Sequence, residues 1–299
     1  MIRSFLNYPG GKYRLLNQIL PHFPRQADSF VDMFAGSAVV SVNNLTSNSI
    51  KAYDSNRQLI ELLQYVADNT FEHIIDDVDY LIAKYGLSDT MRLGYSYYAA
   101  NSASGMSKYN KSAYEALRTD YNQGKTGNVD KAVYLYTLII FGFNNQIRFN
   151  SKGMFNNPTG KRDFNSRMRI KLDLFKKKID DLNIEFINAD FREISSSLND
   201  SFYYADPPYL ITGAVYNDNM GGWNSKDELD LYDKLDEINA KGNKFALSNV
   251  FSSKGKTNKL LCEWSKKYNV YHLKQSYGNS NYQTSNKKGG TDEVLITNY

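Results

Sequence analysis

The 299-residue chain has little of what staples a small or secreted fold: one cysteine, Cys262, and three histidines. One cysteine excludes an internal disulfide framework, and three histidines are too few to suggest a multi-ligand zinc site, so no metal is expected. No apolar run reaches the roughly 18 residues a membrane-spanning helix needs. The opening Met1-Ile2-Arg3-Ser4-Phe5 lacks the apolar stretch of a secretory signal. The expectation is a soluble protein of a reducing, cytoplasmic compartment with no membrane partner. Two glycine signatures are also missing. The absence of G-x-x-x-x-G-K-[ST] argues against a nucleoside triphosphate, and the absence of a clean G-x-G-x-x-G against a dinucleotide. Charge of one sign is scarce: 36 Lys+Arg against 32 Asp+Glu leave +4, too weak an average to argue for nucleic acid.

What is present is a chain long enough to bury a core without staples, with no internal repeat. Tyr8-Pro9-Gly10-Gly11-Lys12 reads as a turn, followed by a helical segment Tyr13–Leu20 that stops at Pro21. Apolar runs at 29–34 and 50–54 and the helical spacing of 59–66 make residues 28–66 a strand–helix–strand–helix unit, the pattern of a doubly wound α/β sheet. Residues 70–143 show helical periods broken at Gly86, Gly105 and Gly124. Residues 146–157 read as a hairpin around Asn150-Ser151-Lys152-Gly153. Strands return at 184–187, 202–205, 245–249 and 294–297, with an amphipathic helix through Leu229, Tyr232, Leu235 and Ile238. The predicted organisation is an α/β domain, 1–67 with 179–299, interrupted by a mostly helical insertion, 68–178.

Three motifs carry chemistry. Asp206-Pro207-Pro208-Tyr209 follows a strand, where ligands gather in open α/β sheets. Its carboxylate and the Pro207 carbonyl are acceptors on a backbone that two prolines stiffen, and Tyr209 offers a flat face. Two acceptors beside an aromatic plane suit an exocyclic amino group on a base. Taken alone, the tetrapeptide reads equally as a rigid turn with a surface aspartate. The turn Asp32-Met33-Phe34-Ala35-Gly36-Ser37 would let a cofactor approach the backbone closely. Asp54, about 20 residues after it, suits a ribose diol, although it could equally cap the next helix.

At these residues the chain resembles the Dam-type DNA adenine-N6 methyltransferases, the D12 class of group alpha amino-methyltransferases. The order of motifs carries the resemblance over nearly the whole chain: Tyr8-Pro-Gly-Gly-Lys12, the Phe34-x-Gly36 turn, an insertion, Asp206-Pro-Pro-Tyr209 and the closing Asp292-Glu293-Val294-Leu295-Ile296-Thr297-Asn298-Tyr299. One departure is Ala35-Gly36-Ser37, where many members carry more glycines. The resemblance implies a Rossmann-like S-adenosyl-L-methionine-dependent domain with a target-recognition insertion, double-stranded DNA as partner, and a bacterial or phage-infected cytoplasm. It also admits a cognate restriction endonuclease acting separately. Tyr8, Lys12, Asp32, Phe34, Gly36 and Ser37 would line the cofactor. Asp54 would hold its ribose and Asp190-Phe191 its adenine, while Asp206 would lie between cofactor and target. Asp206, Pro207, Pro208 and Tyr209 would be catalytic, pulling the adenine N6 hydrogens so that its lone pair meets the sulfonium methyl. No covalent intermediate is needed, and Cys262, outside a Pro-Cys context, gives no sign of a cytosine-C5 enzyme.

The stretch 143–162 resembles that family's recognition hairpin. By resemblance Phe143 would intercalate beside a flipped adenine, Asn144 would face the orphaned base or its backbone, and Arg148 and Asn150 would touch phosphates. Pro158 would meet a thymine methyl and Arg162 would read a guanine, in the family's usual GATC. The alternative for Phe143 is a buried helix end, and for Phe191 core packing. Competing functions are a catalytically silent DNA-binding scaffold, an amino-methyltransferase with a different target sequence, and N4-cytosine transfer, which more often has Ser in place of Asp206. Charge is uneven. Residues 143–178 hold ten Lys/Arg against two Asp/Glu, and 251–290 eight Lys against one Glu, so the body between them is acidic. Both blocks are expected to meet the DNA backbone.

Overall fold

The computed structural model describes residues 1–101, 103, 105–212, 222–274 and 290–299. In chain order its first elements are α1 (Leu16–Ile19), β1 (Ser29–Asp32), β2 (Ser49–Asp54), α2 (Arg57–Asp68), α3 (Phe71–Tyr85) and α4 (Thr90–Tyr97). Then come α5 (Ser107–Gln123), α6 (Lys131–Phe141), α7 (Ser166–Asp180), β3 (Asn183–Asn188), β4 (Ser201–Ala205) and α8 (Ser225–Ala240). The last are β5 (Lys244–Ser253), β6 (Lys256–Thr257), α9 (Lys259–Trp264), β7 (Asn269–Leu273) and β8 (Asp292–Thr297). The chain divides into two compact units: Lys12–Ser55 with Leu182–Tyr299, and Met1–Gly11 with Asn56–Asp181. These limits differ from the sequence boundaries in giving α2 and the first eleven residues to the helical unit. The cause for α2 is visible in its packing, which is against α6 and α7.

The first unit is an α/β sheet in the order β3-β2-β1-β4-β5-β8-β7, with β6 paired to β5. β3 to β5 run parallel, and β8 is antiparallel to both neighbours. Because side chains alternate along a strand, each face buries its own set. Phe30, Phe202, Tyr204, Ala246 and Leu295 pack on one side with Leu15, Leu16 and Ile19 of the N-terminal turns. Val31, Tyr203, Phe245, Val294 and Ile296 pack on the other with Leu231, Tyr232, Leu235 and Ile238 of α8. Coverage of both faces is what parallel strands require, and all five residues of β4 are buried. The expected helix 13–20 is three short pieces. Chain direction changes through a turn of 3-10 helix, Leu20–His22, that begins before Pro21 instead of stopping at it; proline is compatible with a first helical turn, where its missing N–H is not needed.

The second unit is helical. α6 is its centre, with every residue from Ala132 to Phe141 buried. Such all-round burial means a core helix, not an amphipathic surface one. α3 and α5 stop at Gly86 and Gly124 as the sequence predicts. Beyond α6 the chain forms an irregular hairpin instead of two regular strands. A single bridge joins Phe149 to Phe155, and Gly142 pairs with Thr159. The reason lies in side-chain competition for the backbone. Asn122 Oδ1 accepts the Phe155 N–H, Asn122 Nδ2 donates to the Phe155 carbonyl, and Asn157 Nδ2 donates to the Phe143 and Gln146 carbonyls. At the root of the loop a Cβ on Gly160 would stand 2.3 Å from the Gly142 carbonyl oxygen, so only glycine fits there.

Candidate active site

The order of parallel strands reverses between β1 and β4, one leading to β2 and the other to β5. At such a switch point the carboxyl ends of the strands diverge and leave a crevice. Two of the sequence motifs emerge there. Asp32 ends β1 and Asp206 follows β4. Period two puts Asp32 on the side of Phe30, Asp206 on the side of Phe202 and Tyr204, and Glu293 of β8 on the side of Leu295. Three carboxylates thus belong to one face of the sheet, the face that the N-terminal turn carrying Lys12 also covers.

Lys12 is 4% exposed. Its Nζ lies 2.8 Å from Asp206 Oδ1 and 3.5 Å from Glu293 Oε1. The Tyr209 hydroxyl is 3.1 Å from each of the same two oxygens, and the lysine Nζ stands 4.8 Å from the Tyr209 ring centroid. Burial pushes the Asp206 and Glu293 carboxyls above the ordinary carboxylate range, with the Lys12 ammonium opposing it in both. The Tyr209 phenol is raised as well, first by burial and then by the two carboxylates. The arrangement joins two carboxyls, one ammonium and one phenol at shared donors; Lys12 and Glu293 are buried, and Asp206 and Tyr209 are half-buried. Glu293 belongs to none of the sequence motifs that point to the site. Its only sequence signal was an acid at the start of an apolar strand, on the side that period two turns inward.

Asp32 is buried outright and its carboxyl is raised to about 7, chiefly by burial, although Ser41 opposes the shift. The Ser41 hydroxyl donates to Oδ2 at 2.5 Å. Oδ1 is buried with no hydrogen-bond partner among the described residues. Gly36 takes a positive φ of 49° in the turn after β1, a conformation that favours glycine, and its N–H donates to Asp54 Oδ2 at 2.9 Å. Ser37 is buried beside it. Phe34, Phe191 and Trp223 form an aromatic group with centroids 5.4 to 5.7 Å apart. The Phe191 ring is buried, so core packing accounts for most of its surface, while Phe34 and Trp223 are half-exposed. Asp190 caps the short turn Phe191–Glu193 and pairs with Arg192, which also reaches Asp227 and Asp230. Trp223 likewise lies outside every sequence motif. Its indole N–H donates to Glu228, a fully buried carboxylate that also accepts from Tyr232, Asn249 and Asn258.

A model of the D12 class N6 adenine-specific DNA methyltransferases matches residues 8–279. The chain belongs to this family. Its sheet unit is accordingly the methyltransferase fold. The chain is 42% identical over its whole length to the type II methyltransferase M.FokI of Planomicrobium okeanokoites, and 38% identical to the modification methylase StsI of Streptococcus sanguinis. It spans 43% of the length of each of these two relatives. A DNA adenine methylase of Haemophilus influenzae is 29% identical over 69% of this chain and 64% of its own length.

The remaining site candidates of the family resemblance lie in the helical unit. The Tyr8 carbonyl accepts from the Gly11 N–H and closes the Pro-Gly-Gly turn. Phe143 is 50% exposed, which removes the alternative of a buried helix end. It sits with Asn144, at a φ of 54°, on the turn that follows α6. Arg148 is exposed but its guanidinium bonds Asn156, and Asn150 Oδ1 accepts the Lys152 and Met154 N–H groups, so Asn150 shapes the turn. Pro158 is exposed, and its carbonyl accepts the Phe143 N–H. Arg162 is exposed with no acidic partner among the described residues. The basic block 143–178 is partly spent internally: Arg169 binds Asp79, Lys176 binds Asp180 and Lys177 binds Asp173. In the block 251–290, Lys266 binds Glu263 and Lys267 binds Asp236. Its residues 275–289 lie outside the described residues.

Proposed function

We propose that this chain transfers a methyl group to adenine N6 in double-stranded DNA. The observation that carries the proposal is the buried Lys12–Asp206–Tyr209–Glu293 cluster at the sheet's switch point, in a chain of this family. S-adenosylmethionine is the cofactor such a family uses, and the residues fit it. The unpartnered buried Oδ1 of Asp32 suits the ammonium of its amino-acid end, Asp54 its ribose, and the Phe34 and Trp223 faces its adenine. When bound, it supplies a sulfonium methyl that is transferred to a nitrogen lone pair, the carbon–sulfur electron pair returning to sulfur.

The chain's own residues then have defined tasks. Asp206 accepts a hydrogen bond from one N6 hydrogen and the Pro207 carbonyl from the other, which turns the amino lone pair out of the ring plane. Tyr209 stacks on the flipped base and offsets part of the few kcal/mol that unstacking costs. Positive charge that grows on N6 is stabilised by the neighbouring carboxylate in a site of low dielectric. The Asp206 carboxylate takes the proton that N6 must shed. Lys12 holds Asp206 in place from behind. The helical unit serves as the target-recognition part, with Phe143 as the wedge and Arg162 as the base reader.

Relatives named a type II methyltransferase and a modification methylase support a modification role, and GATC is the target that the Dam resemblance suggests. Mapping N6-methyladenine in a methylation-free host expressing this chain tests both. Modified adenines in one recurring short motif support the function. A motif other than GATC overturns only the target, and no N6-methyladenine overturns the transfer.

A further inference from the structure

The cluster holds one carboxylate more than a single pair needs. Lys12 could neutralise Asp206 alone, and Tyr209 could be fixed by Asp206 alone. Instead a second buried acid, Glu293, is 2% exposed and reaches both of the same donors. With Lys12 at +1 and two carboxylates, the group carries a net −1 when both acids are ionised. Strand geometry makes the placement specific. On β8 Asp292 points to the opposite face and bonds His272, while Glu293 turns inward toward the carboxyl end of β4. Burying such an acid is costly, and the sheet would pack an apolar residue there more cheaply.

Resting on the function proposed above, we infer that Glu293 is a positioning residue for methyl transfer: by sharing Lys12 and Tyr209 with Asp206, it keeps the Asp206 carboxylate from being neutralised by a closed ion pair. Asp206 then retains the basicity to draw on the N6 hydrogens and hold the released proton. Among the described residues, the titratable groups that face Asp206 are Lys12 on the N-terminal turn, Asp32 at the end of β1, Tyr204 on β4, Tyr209, and Glu293 on β8. Of these, only Lys12 is cationic. Removing Glu293 would leave that ammonium wholly to Asp206. The Asp206 carboxyl would then titrate at lower pH, because a neighbouring anion raises an acid and a neighbouring cation lowers it.

The test uses Glu293→Gln, which keeps the shape and a hydrogen-bond acceptor but removes the charge, and Glu293→Asp, which keeps the charge. The first readout needs no DNA and no turnover. Carboxyl-carbon NMR titration should move the Asp206 midpoint to lower pH in Glu293→Gln. The second is single-turnover methylation. Glu293→Gln should lose roughly 10- to 100-fold in rate, less than the roughly 100- to 1,000-fold that follows removal of a group touching the developing charge, because Glu293 acts through Asp206. Its acid limb should move to lower pH, and its affinity for S-adenosylhomocysteine should stay within about threefold. Glu293→Asp should restore most of the rate. An unmoved Asp206 midpoint overturns the inference whether or not the wild type methylates DNA. So does a Glu293→Gln enzyme at wild-type rate, or one whose cofactor affinity falls in step with its rate. A wild-type chain that methylates nothing overturns the function itself, and the titration still decides the role of Glu293.

Discussion

Lys12 is the perturbation with the most calculable outcome. Replacing it by methionine keeps a long apolar stem but deletes the one cation that, among the described residues, lies between Asp206 and Glu293. The side chains of Lys12 and Glu293 are almost wholly enclosed and that of Asp206 is 18% exposed. Breaking a buried pair by removing one partner costs about 3–5 kcal/mol, because the remaining charge is left without compensation. Here two charges are stranded, but the opening at Asp206 admits some water, so about 3 kcal/mol is the expectation near pH 8. The sign of the pH dependence follows from the direction of the shifts. Both carboxyls already titrate above the ordinary range in the folded protein, and losing the ammonium raises them further. The folded state then binds more protons than the unfolded one, so stability must fall as pH rises. The penalty should be largest at pH 8 and shrink toward pH 5 as the carboxyls protonate. Urea unfolding of wild type and Lys12→Met at pH 5, 6.5 and 8 measures this directly. A penalty below about 1 kcal/mol at pH 8, or one that grows as pH falls, would refute the reasoning.

Other consequences are simpler to read. Asp32→Asn removes a buried acid raised to about 7. The wild type should lose stability relative to this variant as pH rises from about 4 to about 7 and run parallel to it above that; parallel melting curves between about pH 5 and 7 would contradict this. Gly160→Ala forces a Cβ to 2.3 Å from a backbone oxygen. It should cost about 1–3 kcal/mol, as overpacking does, and weaken DNA binding more than cofactor binding; an unchanged unfolding midpoint would count against the packed loop root. DNA affinity should fall steeply with salt, by about 0.9 log units per log unit of salt for each phosphate neutralised. Arg162→Ala should relax discrimination at one base by about 1–3 kcal/mol, whereas Lys177→Ala, already paired with Asp173, should leave affinity, discrimination and slope unchanged; an Arg162→Ala protein that keeps full discrimination would refute its role as base reader.

How far the fold was legible depends on how each element is buried. β1, β2 and β4 announced themselves as short apolar runs bounded by turns, because parallel central strands are covered on both faces. β7 did not. Asn269-Val-Tyr-His-Leu is an edge strand with one buried residue, so its sequence alternates too weakly to stand out. α2 was legible as a helix but not as a member of the helical unit, since an apolar stripe does not say which partner it meets. The same limit applied to the site. Asp206 and Tyr209 were visible because the two prolines between them form a local motif. Glu293 was not, because its partner Lys12 lies at the other end of the chain, and only the sheet brings an acid at the start of β8 to the end of β4. Trp223 was hidden for another reason: its partner Glu228 is five residues on, but what buries that carboxylate is its bonds to Tyr232, Asn249 and Asn258, two of them far along the chain.

The central claim is that Asp206, backed by Lys12 and Glu293, drives methyl transfer to adenine N6. Its most direct test is transfer of tritiated methyl from S-adenosylmethionine to duplex DNA, followed by nucleoside analysis, with wild type and Asp206→Ala side by side. Wild type should label N6-methyladenine alone. Asp206→Ala should lose at least about 100-fold in rate, the scale of one removed charge-stabilising group, while still binding S-adenosylhomocysteine. Label on cytosine, or an Asp206→Ala protein that transfers at the wild-type rate, would contradict the account.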